Sequence, residues 1–272
     1  MARDPHRYVN ELEQPAIDRL IARLESRAKD EVFARLFEKY ASKIIANAPE
    51  NILEIGSGTG SMMRSLAKRP DFSGSIVGIE QSPAFVDAAR RFAKEEGLGA
   101  RVEFHVGDAH NLQFPDTSFD AIIINTVISH VSEPTPVLRE AARVVRRGGT
   151  VAIYDGDYSS MTYAHPDHEL GRRMDAALVS ASFNNVRIMR DLPHLLPQFG
   201  LEITEAWGDA VTEIGSASFF KSFADTYVPY VINGGLEPAE RVREWHSSQQ
   251  AAMENGTFFG ACIYYTFLSR RI

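Results

Sequence analysis

Short apolar runs alternate with helix-like segments through the first half of the chain. Apolar side chains recur at helical spacing over residues 17–45, and short apolar runs then follow at 52–55, 75–79, 102–106 and 121–124. Runs of that length, bounded by turn signals and separated by segments with a helical period, are typical of buried strands. The alternation predicts a doubly wound α/β fold, in which helices cover both faces of a parallel sheet.

The second half of the chain predicts further strands separated by helical inserts. A fifth strand is expected at 150–154, and the runs 201–214 and 257–269 are rich in strand-forming residues. Helical inserts are expected at about 157–190 and 216–250. Aromatic residues recur at helical spacing in the second insert, which is typical either of a packed core or of the wall of an apolar pocket.

Residues 1–47 predict a helical unit in front of the main domain, which would span residues 48–272. Pro15 and Asp30 fit helix starts, and Pro49 ends the segment before the first strand. These helices either pack on the domain or form a lid over a ligand. As a lid, they would turn Tyr8 or Tyr40 toward that ligand.

Composition limits the class of protein. The chain has 272 residues, a formal net charge of −7 and a single cysteine, Cys262. The acidic balance disfavours binding to nucleic acid, and one cysteine excludes an intrachain disulfide. No apolar run has the length of a membrane span, and the N-terminus lacks the apolar core of a signal peptide, so a cytoplasmic location is expected.

The stretch 51–62, NILEIGSGTGSM, breaks from a strand into alternating glycines. Glycine is needed where the backbone turns sharply, or where a ligand approaches the main chain more closely than a Cβ allows. Glu80 ends the next strand twenty residues after Gly60, where such folds place a carboxylate for ribose hydroxyls. This spacing predicts a nucleotide-type pocket at the carboxyl edge of the sheet.

Five motifs in this order resemble those of the class I S-adenosylmethionine-dependent methyltransferases. They are the glycine motif 53–60, the second-strand run 77–80, the run 107–109, the fourth-strand start 119–122 and the segment 138–149. The most similar subgroup is the small-molecule branch that includes the ubiquinone and menaquinone biosynthesis methyltransferases. The resemblance implies a Rossmann-like, seven-stranded, mostly parallel sheet closed by an antiparallel pair, with a helical cap that holds the acceptor.

The resemblance also implies S-adenosylmethionine as cofactor. Glu54 would approach the methionine amino group, and Glu80 would bind the ribose diol with Gln81 beside the adenine. Asp108 would accept from the adenine amino group, while the Ala109 N–H would donate to a ring nitrogen. The full expected set is Glu54, Gly56, Ser57, Gly58, Gly60, Glu80, Gln81, Gly107, Asp108, Ala109 and Asn125.

Methyl transfer from a sulfonium needs little protein chemistry beyond orientation and exclusion of water. A general base is required only if the acceptor must lose a proton. His130 follows the fourth strand at the ligand edge and is the candidate base, although a histidine here more often caps or packs the next helix. The candidate acceptor-binding residues are Tyr8, Tyr40, His130, Asp155 and Tyr158.

No metal site is expected from the sequence. Asp155 and Asp157 resemble a metal pair but lack further ligands at suitable spacing, so a solvated turn is the preferred interpretation. The cluster at 165–168 is better explained as a helix start, since Pro166 and the acids after it favour a first helical turn.

Two other functions compete with methyl transfer. A nicotinamide-dependent oxidoreductase is disfavoured because its fingerprint is G-x-G-x-x-G, whereas this loop is G-x-G-x-G. A non-catalytic module that only binds S-adenosylmethionine fits the same residues. The sequence thus predicts transfer of a methyl group to a small, partly apolar or aromatic acceptor by in-line displacement. It predicts no nucleic-acid or membrane partner, and the long N-terminal helices could support a homodimer.

Overall fold

A seven-stranded sheet forms the centre of the computed structural model, which describes residues 4–272. Its strands are β1 (Asn51–Ile55), β2 (Ser75–Glu80), β3 (Val102–Val106), β4 (Phe119–Asn125), β5 (Val145–Tyr163), β6 (Leu201–Gly215) and β7 (Phe258–Arg271). Their spatial order is β3-β2-β1-β4-β5-β7-β6, with β7 antiparallel to both neighbours and the other pairs parallel. The predicted doubly wound, mostly parallel sheet is confirmed.

Helices flank this sheet and extend beyond it. They are α1 (Gln14–Lys29), α2 (Glu31–Ile45), α3 (Ser61–Ala67), α4 (Pro83–Glu95), α5 (Pro134–Val144), α6 (His168–Ser182), α7 (Ile188–Leu195), α8 (Phe219–Asn233) and α9 (Ala239–Glu254). Asp30 separates α1 from α2, and its carboxylate accepts from the N–H groups of Val32 and Phe33. Such capping satisfies donors that have no partner within the helix.

The central strands are buried on both faces, as a continuous apolar run predicts. Ile52 of β1 packs into one core, whereas its neighbours Leu53 and Ile55 pack into the other. The side chains of β4 divide in the same way, with Ile123 on the first side and Ile122 on the second. This alternation leaves the carboxyl edge of the strands as the place where polar groups can collect.

The first core continues into a helical cap rich in aromatic residues. Buried side chains from α2, α6, α8 and α9 belong to the same cluster as Ile52, among them Tyr40, Leu178, Phe223 and Trp245. The cap therefore shares one apolar core with the sheet.

Strand β5 is longer than predicted. The sequence favours a strand at 150–154 and a solvated turn at 155–158, but the ladder to β7 continues through Gly156, paired with Tyr264, and reaches Tyr163, paired with Gly260. Asp155 and Asp157 are buried within it. The prediction of a turn is wrong because the antiparallel partner and local hydrogen bonds satisfy these polar residues inside the strand.

Across residues 4–272, no helix combines the length and the apolar character that a membrane span requires.

Candidate active site

The glycine turn after β1 brings the main chain close to the loop that follows β4. Gly56 has a φ of 70°, and a Cβ added there would lie 2.4 Å from Cγ2 of Val127. The N–H groups of Gly56 and Ser57 both donate to the carbonyl of Ile79, at 2.7 and 3.0 Å. Glycine is required here for both its backbone angle and its lack of volume.

Glu80, at the end of β2, holds this turn in place. Its Oε2 accepts from the Gly58 N–H at 3.1 Å, and its Oε1 accepts from the Ser82 N–H at 3.0 Å. Burial raises the pKa of the Glu80 carboxyl, although these backbone donors oppose the shift. Each carboxylate oxygen retains a lone pair for a ligand hydroxyl.

Among the buried side-chain oxygens near the turn that have no hydrogen-bond partner in the described residues, two belong to a carboxyl and an amide group. They are Oε2 of Glu54 on β1 and Oδ1 of Asn125 at the end of β4. Burial raises the pKa of Glu54 to about 8. Because unsatisfied buried acceptors are costly, these two side chains fit a ligand group that carries several N–H donors, such as an ammonium.

The run after β3 forms the next wall of the cavity. The Gly107 N–H donates to the carbonyl of Glu80 at 3.0 Å. Oδ1 of Asp108 accepts from the backbone N–H of His110 at 2.9 Å and lies 2.7 Å from its Nδ1. The Asp108 side chain is still 66% exposed, so its carboxylate can accept from a ligand as well.

Residues 4–12, which we term the N-terminal strap, lie over this side of the cavity. Nε2 of Gln81 donates to the carbonyl of His6 at 2.8 Å, and Nδ2 of Asn10 donates back to the carbonyl of Gln81 at 3.1 Å. The Gln81 amide thus binds the strap, while the residue also lines the cavity.

His130 lies where the strap meets the loop after β4. Its Nδ1 is 2.8 Å from Oδ2 of the buried Asp4, and its ring centroid is 4.9 Å from that of His6. Burial alone would lower the pKa of His130, but the Asp4 carboxylate outweighs it and the pKa is raised above the usual histidine value.

Two predicted site residues do not line the cavity. Gly60 caps α3 with a φ of 72°, and an added Cβ would lie 2.3 Å from the Phe104 ring, so its role is in packing. Asp155 lies beneath the site, where its carboxylate accepts from the N–H of Ser129 at 3.1 Å and from its hydroxyl at 3.0 Å. Placing Asp155 against the acceptor was therefore a wrong prediction, because the carboxylate instead holds the loop that carries His130.

The other predicted residues line one cavity of about 320 Å³. Those of the cofactor set are Glu54, Gly56, Ser57, Gly58, Glu80, Gln81, Gly107, Asp108, Ala109 and Asn125, and those of the acceptor set are Tyr8, Tyr40, His130 and Tyr158. Among the described residues, no group of three or more potential metal ligands occurs. Asp157 is paired with Arg190, whose Nη2 lies 2.6 Å from Oδ2.

Beyond the glycine turn the cavity opens into a chamber walled by aromatic side chains, which we term the aromatic chamber. The rings of Tyr40, Tyr154 and Tyr264 stack in succession, with centroids 5.5 and 5.4 Å apart. The remaining walls are formed by Phe33, Phe37, Tyr158, Phe183, Phe219, Phe223 and Tyr227.

Sequence reasoning missed the contribution of α1 to this chamber. Arg23 and Arg27 line the cavity from that helix. The available signal is their position three and seven residues after the buried Leu20, which places them on the same helical face. His6 and Asp4 carry no such signal, since they precede the first regular element.

A carboxylate of α1 ties this helix to the glycine turn. Oε1 of Glu25 accepts from the Thr59 hydroxyl at 2.6 Å, and its Oε2 lies 2.6 Å from Nη2 of Arg64 on α3. The Arg64 side chain is almost fully buried, so the pair is shielded from water.

Comparisons with known proteins identify the central segment. Residues 53–153 match the protein family described as "Methyltransferase domain". The chain is 30% identical over 231 residues to an uncharacterized 37.1 kDa protein in transposon Tn4556 of Streptomyces fradiae, covering 83% of this chain and 64% of that protein. It is 38% identical over 107 residues to the demethylmenaquinone methyltransferase of Thermotoga maritima, covering 39% of this chain and 44% of that enzyme.

A solved structure extends the likeness across almost the whole fold. A geranyl diphosphate methyltransferase in complex with SAM superposes with a TM-score of 0.53 at 16% identity, covering 91% of this chain and 95% of that one. The chain spans less than two thirds of the length of the two curated relatives. The glycine motif, Glu54 and Glu80 all lie within the matched segment, and residues 53–153 are thus identified as a methyltransferase domain.

Proposed function

We propose that this protein transfers the methyl group of S-adenosylmethionine to a small, partly aromatic or apolar acceptor. The observation that carries the proposal is a single cavity that joins the glycine turn to the aromatic chamber. A donor held at the turn and an acceptor held in the chamber would meet inside one cavity. Bound together, they would react with the high effective concentration that positioning provides.

The cofactor half of the cavity has hydrogen-bonding groups for several polar parts of S-adenosylmethionine. The orphan oxygens of Glu54 and Asn125 would take the ammonium of the methionine moiety. Glu80 would accept from the ribose hydroxyls, and Asp108 and Ala109 would bind the adenine edge. When bound, the cofactor supplies an electrophilic methyl group on sulfur.

The protein's own contribution is orientation, exclusion of water and, for a protic acceptor, removal of a proton. The short distance from Nδ1 of His130 to Asp4 favours the tautomer with a proton on Nδ1, which leaves Nε2 free to accept one. His130 would then act as the base, and Asp4 would position it. The strap and the cap helices would act as the lid that keeps water out.

Binding of the cofactor is tested by calorimetric titration with S-adenosylmethionine, S-adenosylhomocysteine and NADH. We expect micromolar binding of both adenosyl ligands, none of NADH, and loss of binding in Glu80→Ala and Asp108→Ala. Glu103→Ala is the matched control, because Glu103 is an exposed acid on β3 outside the cavity. Binding of NADH alone, or of none of the three ligands, would overturn the proposal.

Catalysis is tested separately from binding. The protein is incubated with S-adenosylmethionine carrying a deuterated methyl group and a library of small aromatic acids, phenols and amines, and products are detected by their mass shift. A labelled product that disappears in Glu80→Ala supports methyl transfer. Tight cofactor binding without any labelled product across such a library would favour the non-catalytic binding module instead.

A further inference from the structure

The aromatic chamber contains two arginines that face it from α1. The guanidinium carbon of Arg23 lies 5.2 and 5.3 Å from the ring centroids of Phe223 and Tyr227 on α8. That of Arg27 lies 4.5 Å from the Phe33 centroid and 5.7 Å from the Tyr264 centroid. Both side chains are half-buried. Cationic groups are thus set among rings on the walls of the cavity.

Within residues 4–272, neither arginine has an anionic partner. Nη1 of Arg23 donates to the hydroxyl of Ser222 at 3.2 Å, and Nη1 of Arg27 donates to the hydroxyl of Thr126 at 3.3 Å. Arg64 instead pairs with Glu25, but over residues 4–272 no carboxylate lies within ion-pairing distance of Arg23 or Arg27. A guanidinium has five N–H donors in a planar fork, so both retain donors for a ligand.

The positive charge also affects its neighbours. Burial holds the pKa of His6 well below the usual histidine value, and His130 and both arginines act in the same direction. Burial, the largest cause, disfavours charge of either sign, and the smaller contributions of His130, Arg23 and Arg27 place positive charge near the strap. Cation–π contacts keep the arginines in place but do not neutralise them.

The two arginines differ in their surroundings. Arg27 is bonded to Thr126, which precedes the residue packed on Gly56, so it lies on the cofactor side. Arg23 is bonded to Ser222 and surrounded by the rings of α8, so it lies on the cap side. Arg23, Arg27 and Phe219 also line a second cavity of about 260 Å³ between α1 and α8. Arg23 is thus accessible from the side of the cavity that the cap helix α8 forms.

We propose that Arg23 binds an anionic group of the acceptor, so that the substrates of this protein are aromatic or apolar molecules bearing a carboxylate or an ionised phenol or enol. The proposal rests on the proposed function. A bidentate or single charge-assisted hydrogen bond from Arg23 would fix the acidic end, while the rings of the chamber hold the body. The methionine carboxylate of the cofactor is the competing source of the same anion, and the experiment separates the two.

The probes are 2-naphthoate and its uncharged isostere 2-naphthamide, titrated into the full chain saturated with S-adenosylhomocysteine. We expect naphthoate to bind about tenfold or more tightly than naphthamide, as one charge-assisted contact allows. Arg23→Gln should abolish this preference, and Arg23→Lys should retain part of it. Arg19→Gln removes the same charge from an exposed position of α1 outside the cavity and should leave the preference intact.

The affinity for S-adenosylhomocysteine is measured on each variant. An unchanged affinity in Arg23→Gln, with loss of the naphthoate preference, supports an acceptor site. If Arg23→Gln instead binds S-adenosylhomocysteine tenfold more weakly and still prefers naphthoate, Arg23 binds the cofactor and the proposal is overturned. Equal binding of the two probes to the unmodified protein also overturns it. If S-adenosylhomocysteine fails to bind the unmodified protein, the proposed function is refuted instead. This result does not depend on the naphthoate titration.

Discussion

Nδ1 of His130 lies 2.8 Å from Oδ2 of Asp4, across 126 positions of the sequence. The carboxylate is buried, and the amide of Asn184 also donates to it, at 3.3 Å. The N-terminal strap thereby contributes a charge to the loop at the end of β4. The orientation and the pKa of His130 consequently depend on a residue of the N-terminal strap.

This contact predicts a specific pH dependence of methyl transfer to a protic acceptor. His130 must be neutral to accept a proton, and Asp4 raises its pKa, so activity should rise with pH through a range above the usual histidine value. Asp4→Asn removes the carboxylate and should move the acidic limb of the kcat/KM profile to lower pH.

Removing the base itself should have a larger effect. His130→Ala should lower kcat by about 10²–10⁴-fold, the usual contribution of general-base catalysis. His105→Ala is the control, because His105 is an exposed histidine on β3 that lies outside the cavity. An unchanged kcat in His130→Ala would contradict the role of base and assign the residue to packing.

Cofactor binding should release a proton from Glu54. Its pKa of about 8 means that the carboxyl is mostly protonated at pH 7 in the free protein. An ammonium beside Oε2 favours the charged form and lowers the pKa, so close to one proton should leave on binding. Calorimetry at pH 7 in two buffers of different ionisation enthalpy measures this number.

Two controls isolate the effect. Glu54→Gln cannot titrate and should bind without proton release. Methylthioadenosine lacks the ammonium and should release no proton from the unmodified protein. Equal proton release by methylthioadenosine and S-adenosylhomocysteine would show that another group titrates.

The same raised pKa predicts how the free protein responds to pH. A carboxyl whose pKa is higher in the folded state than in the unfolded one stabilises the fold when it is protonated. That contribution is lost as the pH rises from about 4.5 to about 8. The free energy of unfolding of Glu54→Gln, relative to the unmodified protein, should therefore increase over this range in urea titrations.

Gly56→Ala should destabilise the fold through two separable effects. The left-handed backbone angle costs about 1–2 kcal/mol for alanine, and the overlap with Val127 adds about 1–3 kcal/mol. Gly97→Ala is a matched control, since Gly97 has a φ of 72° and nothing within 4 Å of an added Cβ.

Urea unfolding measures both terms. Gly97→Ala should lower the free energy of unfolding only by the cost of the left-handed backbone angle. The double variant Gly56→Ala/Val127→Ala should lose less free energy of unfolding than the sum of the losses in the two single variants. Additive losses would mean that the Val127 side chain does not limit the space at the turn.

Glu25→Gln should loosen the attachment of α1 to the glycine turn. The substitution leaves the buried Arg64 without its close ion-pair partner, which should lower the free energy of unfolding by about 2 kcal/mol. Glu169→Gln removes an exposed partner of Arg172 and should leave the urea midpoint unchanged. Equal midpoints for the two variants would contradict the inferred role of Glu25.

Most of the sheet and the cofactor half of the site follow from the sequence. Parallel strands end at a common edge, so Glu54, Glu80 and Asp108 could be expected to meet although they lie far apart in the chain. Of the glycines between these acids, Gly56 allows close packing at the turn and Gly60 caps a helix. Short-range sequence patterns are sufficient to predict the part of the fold in which strands and helices alternate regularly.

The rest depends on contacts that local signals do not encode. The polar run after Tyr154 reads as a turn, and only the distant strand β7 makes it part of a ladder. Contacts with distant residues hold α1 on the domain, such as the bond from Glu25 to Arg64, so the helical face shared by Leu20 and Arg23 can be recognised from the sequence but the cavity that it meets cannot. The bond from His130 to Asp4 likewise joins segments that no periodicity links.

Most of the side chains proposed to select the acceptor lie on either side of the segment that matches the methyltransferase family. Arg23, Phe33 and Tyr40 precede residues 53–153, and Phe223 and Tyr264 follow them. Two proteins can therefore be alike throughout that segment and still act on unrelated molecules. A relative identified from this segment indicates which methyl donor to use in an assay. The acceptor has to be inferred from α1, α2 and the C-terminal half.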